Sequence, residues 1–122
     1  MTRHDPKVSM HQMLDYAREA VVMAHGRARS DLDADRQFAL AVTHLLELVG
    51  EAASRVPPED QERHPAVPWR QVVGLRNRLI HGYDEVDLDI LWAIIAEDIP
   101  PLVAILEECL GEREVEQPPT RQ

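Results

Sequence analysis

Apolar side chains recur at three- and four-residue steps along most of this chain, the spacing of one face of an α-helix. Met10, Met13, Leu14, Ala17, Ala20, Val21 and Ala24 form the first stripe, which fades near Gly26. Phe38, Ala41, Val42, Leu45, Leu48, Val49 and Ala52 form a second. "VPPED" at 56–60 stops it, because proline donates no backbone N–H. "QERHPAVP" reads as a connector with room for one helical turn. A third, shorter helix is predicted to start near Trp69, after Pro68, and to run toward His81. Gly82 would close it by taking the left-handed conformation of helix ends. Asp87 is a good N-cap for a fourth helix carrying Leu88, Leu91, Trp92, Ile95, Leu102 and Leu106. The prolines of "IPP" at 99–101 should kink that helix.

Strands are hard to place: glycines number only five, and no Asn-Gly hairpin signal occurs. Four or five helices with short links predict an all-α, up-and-down bundle. Residues 1–110 would form one domain. The polar stretch "GEREVEQPPTRQ" at 111–122 is expected to be a disordered tail.

Composition narrows this picture only slightly. A chain of 122 residues, 44% apolar and 29% charged, suits one modest core. No apolar run approaches the ~20 residues that cross a bilayer. The start "MTRHDPKVSMHQ" is too polar for the core of a secretory signal. The single cysteine, Cys109, forms no internal disulfide, so the expected location is the cytoplasm. Net charge is −9, from 22 acidic and 13 basic side chains. Any site that handles phosphate must therefore be local, its cations gathered against an unfavourable global field.

One segment gathers such groups. "RNRLIHGY", residues 76–83, places two arginines, an asparagine, a histidine and a tyrosine within eight positions. An arginine fork grips phosphate oxygens and stays charged, and a histidine exchanges protons near neutrality. Together they contain the minimum for metal-free RNA cleavage: His81 to deprotonate a ribose 2′-OH, and Arg76 to steady charge on the phosphorus. On a continuous helix five positions turn ~500°, leaving the two side chains ~140° apart. They meet only if the helix ends between them, or if a symmetric partner chain brings them together. A plainer reading stands beside this one, in which basic residues in a last helical turn meet the helix dipole. Arg78 would then pair with Asp84 or Glu85, and Tyr83 would cover the bundle end.

"GLRNRLIHGYDEVDLDILW" resembles the signature of the HEPN superfamily, specifically the HepT-like toxins. Their motif is an arginine, usually followed by a polar residue, then a histidine after four intervening positions, then any residue and a tyrosine. Arg76, Asn77, His81 and Tyr83 supply it without a gap. "LLELVGEAASRVPPE" and "HPAVPWRQVVGLRN" resemble the family's middle section, so the likeness spans roughly residues 8 to 110. It implies a HEPN-like helical bundle that forms a symmetric homodimer with its motifs in a cleft between subunits. It also implies a metal-independent endoribonuclease toxin of a toxin–antitoxin pair, needing no cofactor. Arg76 and His81 would be catalytic and Asn77 a polar helper. The partner would be a minimal nucleotidyltransferase antitoxin, which in some pairs attaches AMP to the tyrosine matching Tyr83. A phosphate there would occupy the substrate phosphate's position and repel RNA. The alternative is a non-catalytic helical subunit that binds nucleotide or a minimal nucleotidyltransferase.

Arg78 is not a fixed part of that pattern and is a candidate extra phosphate contact. Glu51, charged amid small and apolar neighbours, either faces the cleft and pairs with Arg76 or is a solvated helix position. His4, His11, His25, His44 and His64 lack ligand spacing for zinc. Trp69 and Trp92 read as core or interface residues, and five aromatics in all disfavour a binder built on stacking.

Overall fold

The computed structural model describes residues 5–81 and 85–111, and of His81 the backbone alone. The expected tail after Gly111, the helix stop at Gly82, the modification site Tyr83 and the proposed Asp84 pairing lie outside the described residues.

Two long helices form the frame. The first, α1 (Pro6–Ala24), is opened by Asp5, whose side chain accepts from the Lys7 N–H. Its predicted apolar stripe is buried at Met10, Met13, Leu14, Ala17 and Ala20, while Met23 is exposed. After Gly26, which takes a positive φ of 78°, comes a helix that periodicity does not signal, α2 (Arg29–Ala34). Only Leu32 of its six residues is buried, so it has no stripe to detect. Local electrostatics hold it. Asp31 accepts from the Ala28 N–H, and Arg29 bonds Asp33 one turn on and Asp89 across the chain, each at 2.8 Å.

Asp35 caps the second long helix, α3 (Arg36–Ser54), by accepting from the Phe38 N–H at 3.1 Å. That bond, and Arg27 beside it, hold the Asp35 carboxyl below the ordinary carboxylate range. The α1 helix packs against α3 and against α8 (Ile99–Leu110). Arg18 on α1 donates to Glu107 on α8 at 2.9 Å. The connector after α3 contains the anticipated helical turn, α4 (Pro58–Glu62). Trp69 pins it: the indole N–H is shared between the Gln61 and His64 carbonyls, both at 3.0 Å.

The predicted third helix is two short ones, α5 (Trp69–Val73) and α6 (Leu75–Leu79), joined at Gly74. It stops at Leu79, three residues before Gly82. The Leu79 carbonyl accepts from the Asp87 N–H at 3.0 Å, and the chain turns extended at Ile80. There it forms a two-residue antiparallel ladder, β1 (Ile80–His81) against β2 (Glu85–Val86), with Ile80 opposite Val86 and His81 opposite Glu85.

Asp87 caps α7 (Leu88–Ala93) as predicted, accepting from the Asp89 and Ile90 N–H groups. The helix then widens into a π-helical segment (Ile94–Asp98) before α8. Pro100 and Pro101 explain the widening. They lack N–H donors and crowd the carbonyls four residues back, so the backbone opens by one residue instead of breaking. The core is one cluster spanning α1, α3, α5–α6, α7 and α8. This is an all-α bundle with one minimal strand pair. Among the described residues no helix is long and apolar enough to cross a membrane.

Candidate active site

Leu75 and Leu79, one turn apart, are buried and fix the inner face of α6. Arg76, Asn77 and Arg78 between them therefore face outward, all exposed. The helix ends between Arg76 and His81, as a shared site within one chain requires. His81 stands on the extended segment, its backbone directly across from Glu85.

Arg76 opens into a cleft of about 380 Å³ between α3 and α5–α6, bordered by His44, Glu47, Glu51, Ser54 and Val73. Its guanidinium Nε lies 3.9 Å from Glu47 Oε2, and the side chain is 65% exposed. A pair so open and so long contributes well under ~1 kcal/mol. It orients the arginine without blocking it. His44 Nδ1 is 3.8 Å from the other oxygen of Glu47.

Glu51 borders this cleft, but its partner is Arg55, the residue that caps the end of α3, at 3.4 Å. The carboxylate nearest Arg76 is Glu47, one turn earlier, which sequence reasoning passed over. Periodicity places both on one face; their rank follows from where α5–α6 crosses α3. Gly50 sets that crossing. A Cβ built there would lie 3.0 Å from the Val72 carbonyl oxygen and 3.6 Å from Leu75 Cβ.

Arg78 leaves α6 on the other side, since two positions turn ~200°. It pairs with Asp98 at 3.1 Å, beside a separate cavity of about 440 Å³ lined by Val72, Leu75, Ile99 and Leu102. Among the described residues it shares no cleft with Arg76, and the carboxylate it pairs with is Asp98 rather than Glu85. Asn77, between the two arginines, is exposed at the surface of α6. Trp69 and Trp92 are half-buried against the core. Cys109 is half-buried too, and burial pushes its thiol pKa up, away from nucleophilic use. Among the described residues, no three His, Cys, Asp or Glu side chains converge as a metal set would.

An all-helical bundle that presents an arginine-x4-histidine segment where a short helix gives way to extended chain defines a HEPN-like protein. Comparison with known proteins narrows the class. The model of the family described as "Ribonuclease HepT-like" matches residues 13–109. A Methanocaldococcus jannaschii protein named "Putative RNase MJ1380" is 32% identical over 102 residues, covering 84% of this chain and 94% of that protein. "Probable ribonuclease HepT" of Thermococcus cleftensis is 38% identical over 78 residues, covering 64% and 71%. "Putative RNase TTE0752" of Caldanaerobacter subterraneus is 31% identical over 105 residues, covering 86% and 94%. No solved structure matches significantly. The chain belongs to the HepT-like family.

Proposed function

We propose that this chain is a metal-independent endoribonuclease and the toxin of a toxin–antitoxin pair. The observation that carries the reading is the end of α6 at Leu79, which leaves Arg76 open in a cleft and His81 on extended chain beyond the helix. The plainer reading, in which Arg76 only meets its helix dipole, does not require an open cleft around it.

The chemistry needs three groups. His81 takes the proton of a ribose 2′-OH as its oxygen attacks the adjacent phosphorus. Arg76 donates to the phosphoryl oxygens as charge builds on them. The bond to the 5′-oxygen breaks, and that oxygen leaves with a proton from solvent or a second acid, giving a 2′,3′-cyclic phosphate and a 5′-hydroxyl. Asn77 would help orient the pair. A symmetric homodimer would gather two copies of these groups. The antitoxin would be a minimal nucleotidyltransferase, acting by binding or by adding AMP to Tyr83. Arg78, tied to Asp98, contributes here only if a second copy or the RNA reaches the far side of α6.

A second reading keeps the fold without catalysis: a subunit that binds nucleotide or a minimal nucleotidyltransferase. The carboxylate of Glu47 beside Arg76 favours its partner-binding form, because phosphate must compete with that carboxylate for the guanidinium and a protein partner need not. One experiment separates the two. The purified chain, free of partner, is incubated with total RNA in EDTA beside Arg76→Ala and His81→Ala. Cleavage by the parent alone, with cyclic-phosphate ends, supports the enzyme. A folded parent without an AMP adduct that leaves RNA intact removes it.

A further inference from the structure

A second cavity, of about 490 Å³, lies further toward the start of α3 and is bordered by Glu85 and Val86 of β2. Its lining is apolar at Leu32, Ala39, Leu40, Val86 and Leu88, and polar at Asp33, Arg36, Thr43 and Glu85. Thr43 borders this cavity and His44, the next residue, borders the cleft of Arg76. Arg36, Leu40, Thr43 and Glu47 follow one another at steps of four, three and four, so a single stripe of α3 lines both. From Arg36 to Glu47 the helix rises about 16 Å, the reach of a few nucleotides of single strand. The strand register sets Glu85 directly across from the backbone of His81. The second cavity thus neighbours the Arg76 cleft through Thr43 and His44, and the His81 backbone through Glu85.

Its two carboxylates, Asp33 and Glu85, outnumber its one cation, so an anion is favoured only at Arg36 itself. The carboxylates flanking Arg36 in sequence are already engaged: Asp33 with Arg29 at 2.8 Å and Asp35 with Arg27 at 3.2 Å. Arg36 is exposed and forms no ion pair with any described residue. On a chain of net charge −9 it is a cation whose field is not cancelled by an internal partner. Leu40, in the same lining, is 54% exposed, an apolar surface left open. The Thr43 hydroxyl donates to the Ala39 carbonyl at 2.7 Å, which leaves its oxygen, like the Glu85 carboxylate, to accept. Apolar lining, a free guanidinium and neighbouring acceptors match the three parts of a nucleotide: base face, phosphate, and base-edge N–H groups.

We infer that this cavity is the subsite for a nucleotide flanking the scissile step of single-stranded RNA, with its phosphate on Arg36 and its base over Leu40. The inference rests on the ribonuclease reading for its place in the reaction, but its binding can be read alone. The probe is a fluorescent dozen-nucleotide single strand with 2′-O-methyl groups, which cannot be cleaved, titrated at several salt concentrations. Arg36→Gln should weaken binding roughly fivefold, and should flatten the slope of log Kd against log salt by about 0.7, as loss of one single-strand phosphate contact does. Leu40→Asn should weaken binding and leave the slope unchanged. With the cleavable strand, Arg36→Gln should act mainly on KM, and its effect on kcat/KM should shrink as the substrate shortens to a dinucleotide.

Affinity and slope unmoved by Arg36→Gln, in protein that still cleaves, would overturn the subsite and leave the ribonuclease reading standing. A parent that binds the strand through Arg36 but never cleaves would sink the ribonuclease reading and keep the subsite. Loss of self-association in either variant, read by light scattering, would reassign this face to a subunit contact and overturn the inference.

Discussion

Gly50 sits where α3 crosses α5, and a side chain there would press on the Val72 carbonyl at 3.0 Å. Alanine in place of glycine gains up to ~1 kcal/mol of helix propensity. Overpacking against a backbone oxygen costs about 1–3 kcal/mol, because neither helix can yield as a side-chain tip would. The second effect should win. Gly50→Ala is expected to destabilise the chain by on the order of 1 kcal/mol in urea unfolding, and to move Arg76 off Glu47 so that RNA cleavage falls with it. A more stable Gly50→Ala protein would show that α5 gives way. At this scale "VGEAAS" disclosed a charged residue among small ones, but not why the small ones are small. The choice between Glu47 and Glu51 depends on the crossing, which no local pattern encodes. Asp35 offers a separate test. Its folded pKa is lowered, chiefly by the Phe38 N–H and then by Arg27. Its contribution to stability is therefore complete above the ordinary carboxylate pKa of about 3.9, and is lost as pH falls through the lower folded value. Asn caps as well as Asp but does not titrate. Asp35→Asn should therefore lower stability near neutrality and flatten its decline below pH ~4, so that variant and parent converge in acid, measured by acid titration of thermal unfolding.

Elements with a continuous apolar face were legible, and those held by other means were not. The stripes of α1 and α3 and the Asp87 cap stand where periodicity places them. Helix α2 has one buried residue and rests on Arg29, whose partner Asp89 is sixty positions away. The β1–β2 ladder is two residues long with no turn signature, so its only trace in sequence is β-branched Ile80 and Val86. Gly82 predicts that a helix must end nearby; the Leu79 carbonyl shows that tertiary pairing ends it sooner. The "IPP" kink is relieved as a π-turn, which periodicity cannot distinguish from a bend. The connector 57–68 is held by the residue that follows it, through the Trp69 indole. Trp69→Phe keeps most of the buried ring and deletes the N–H shared by two carbonyls. It should cost about 1 kcal/mol, or roughly 4 °C in a chain of this size, by calorimetry. A loss within experimental error would mean that water replaces the indole at both carbonyls.

Taken whole, the molecule sets Arg76 and the backbone of His81 on two different elements, α6 and β1. Arg76 opens into one cavity, and Glu85, opposite His81, lines the next. A single chain with net charge −9 holds few uncancelled cations with which to draw RNA to either. A symmetric pair of chains would offer twice the cations in one place, and could set the arginine of one subunit against the histidine of the other. Mixing two inactive proteins decides whether it does. Arg76→Ala and His81→Ala, unfolded together and refolded at equal concentration, form mixed dimers at about half of all dimers. If each site takes one residue from each subunit, a mixed dimer holds one intact site and one doubly damaged site. The mixture should then regain roughly a quarter of parent activity, with no recovery in either variant alone. If Arg76 and His81 act within one chain, every site in the mixture lacks one of them and activity stays at the background of the variants. Restoration would therefore show a shared centre and, with it, why exposed apolar side chains such as Val73 stand beside Arg76. Silence from a mixture in which mixed dimers are detected by mass would confine the chemistry to the single chain, where the short strand pair must carry His81 to the Arg76 cleft on its own.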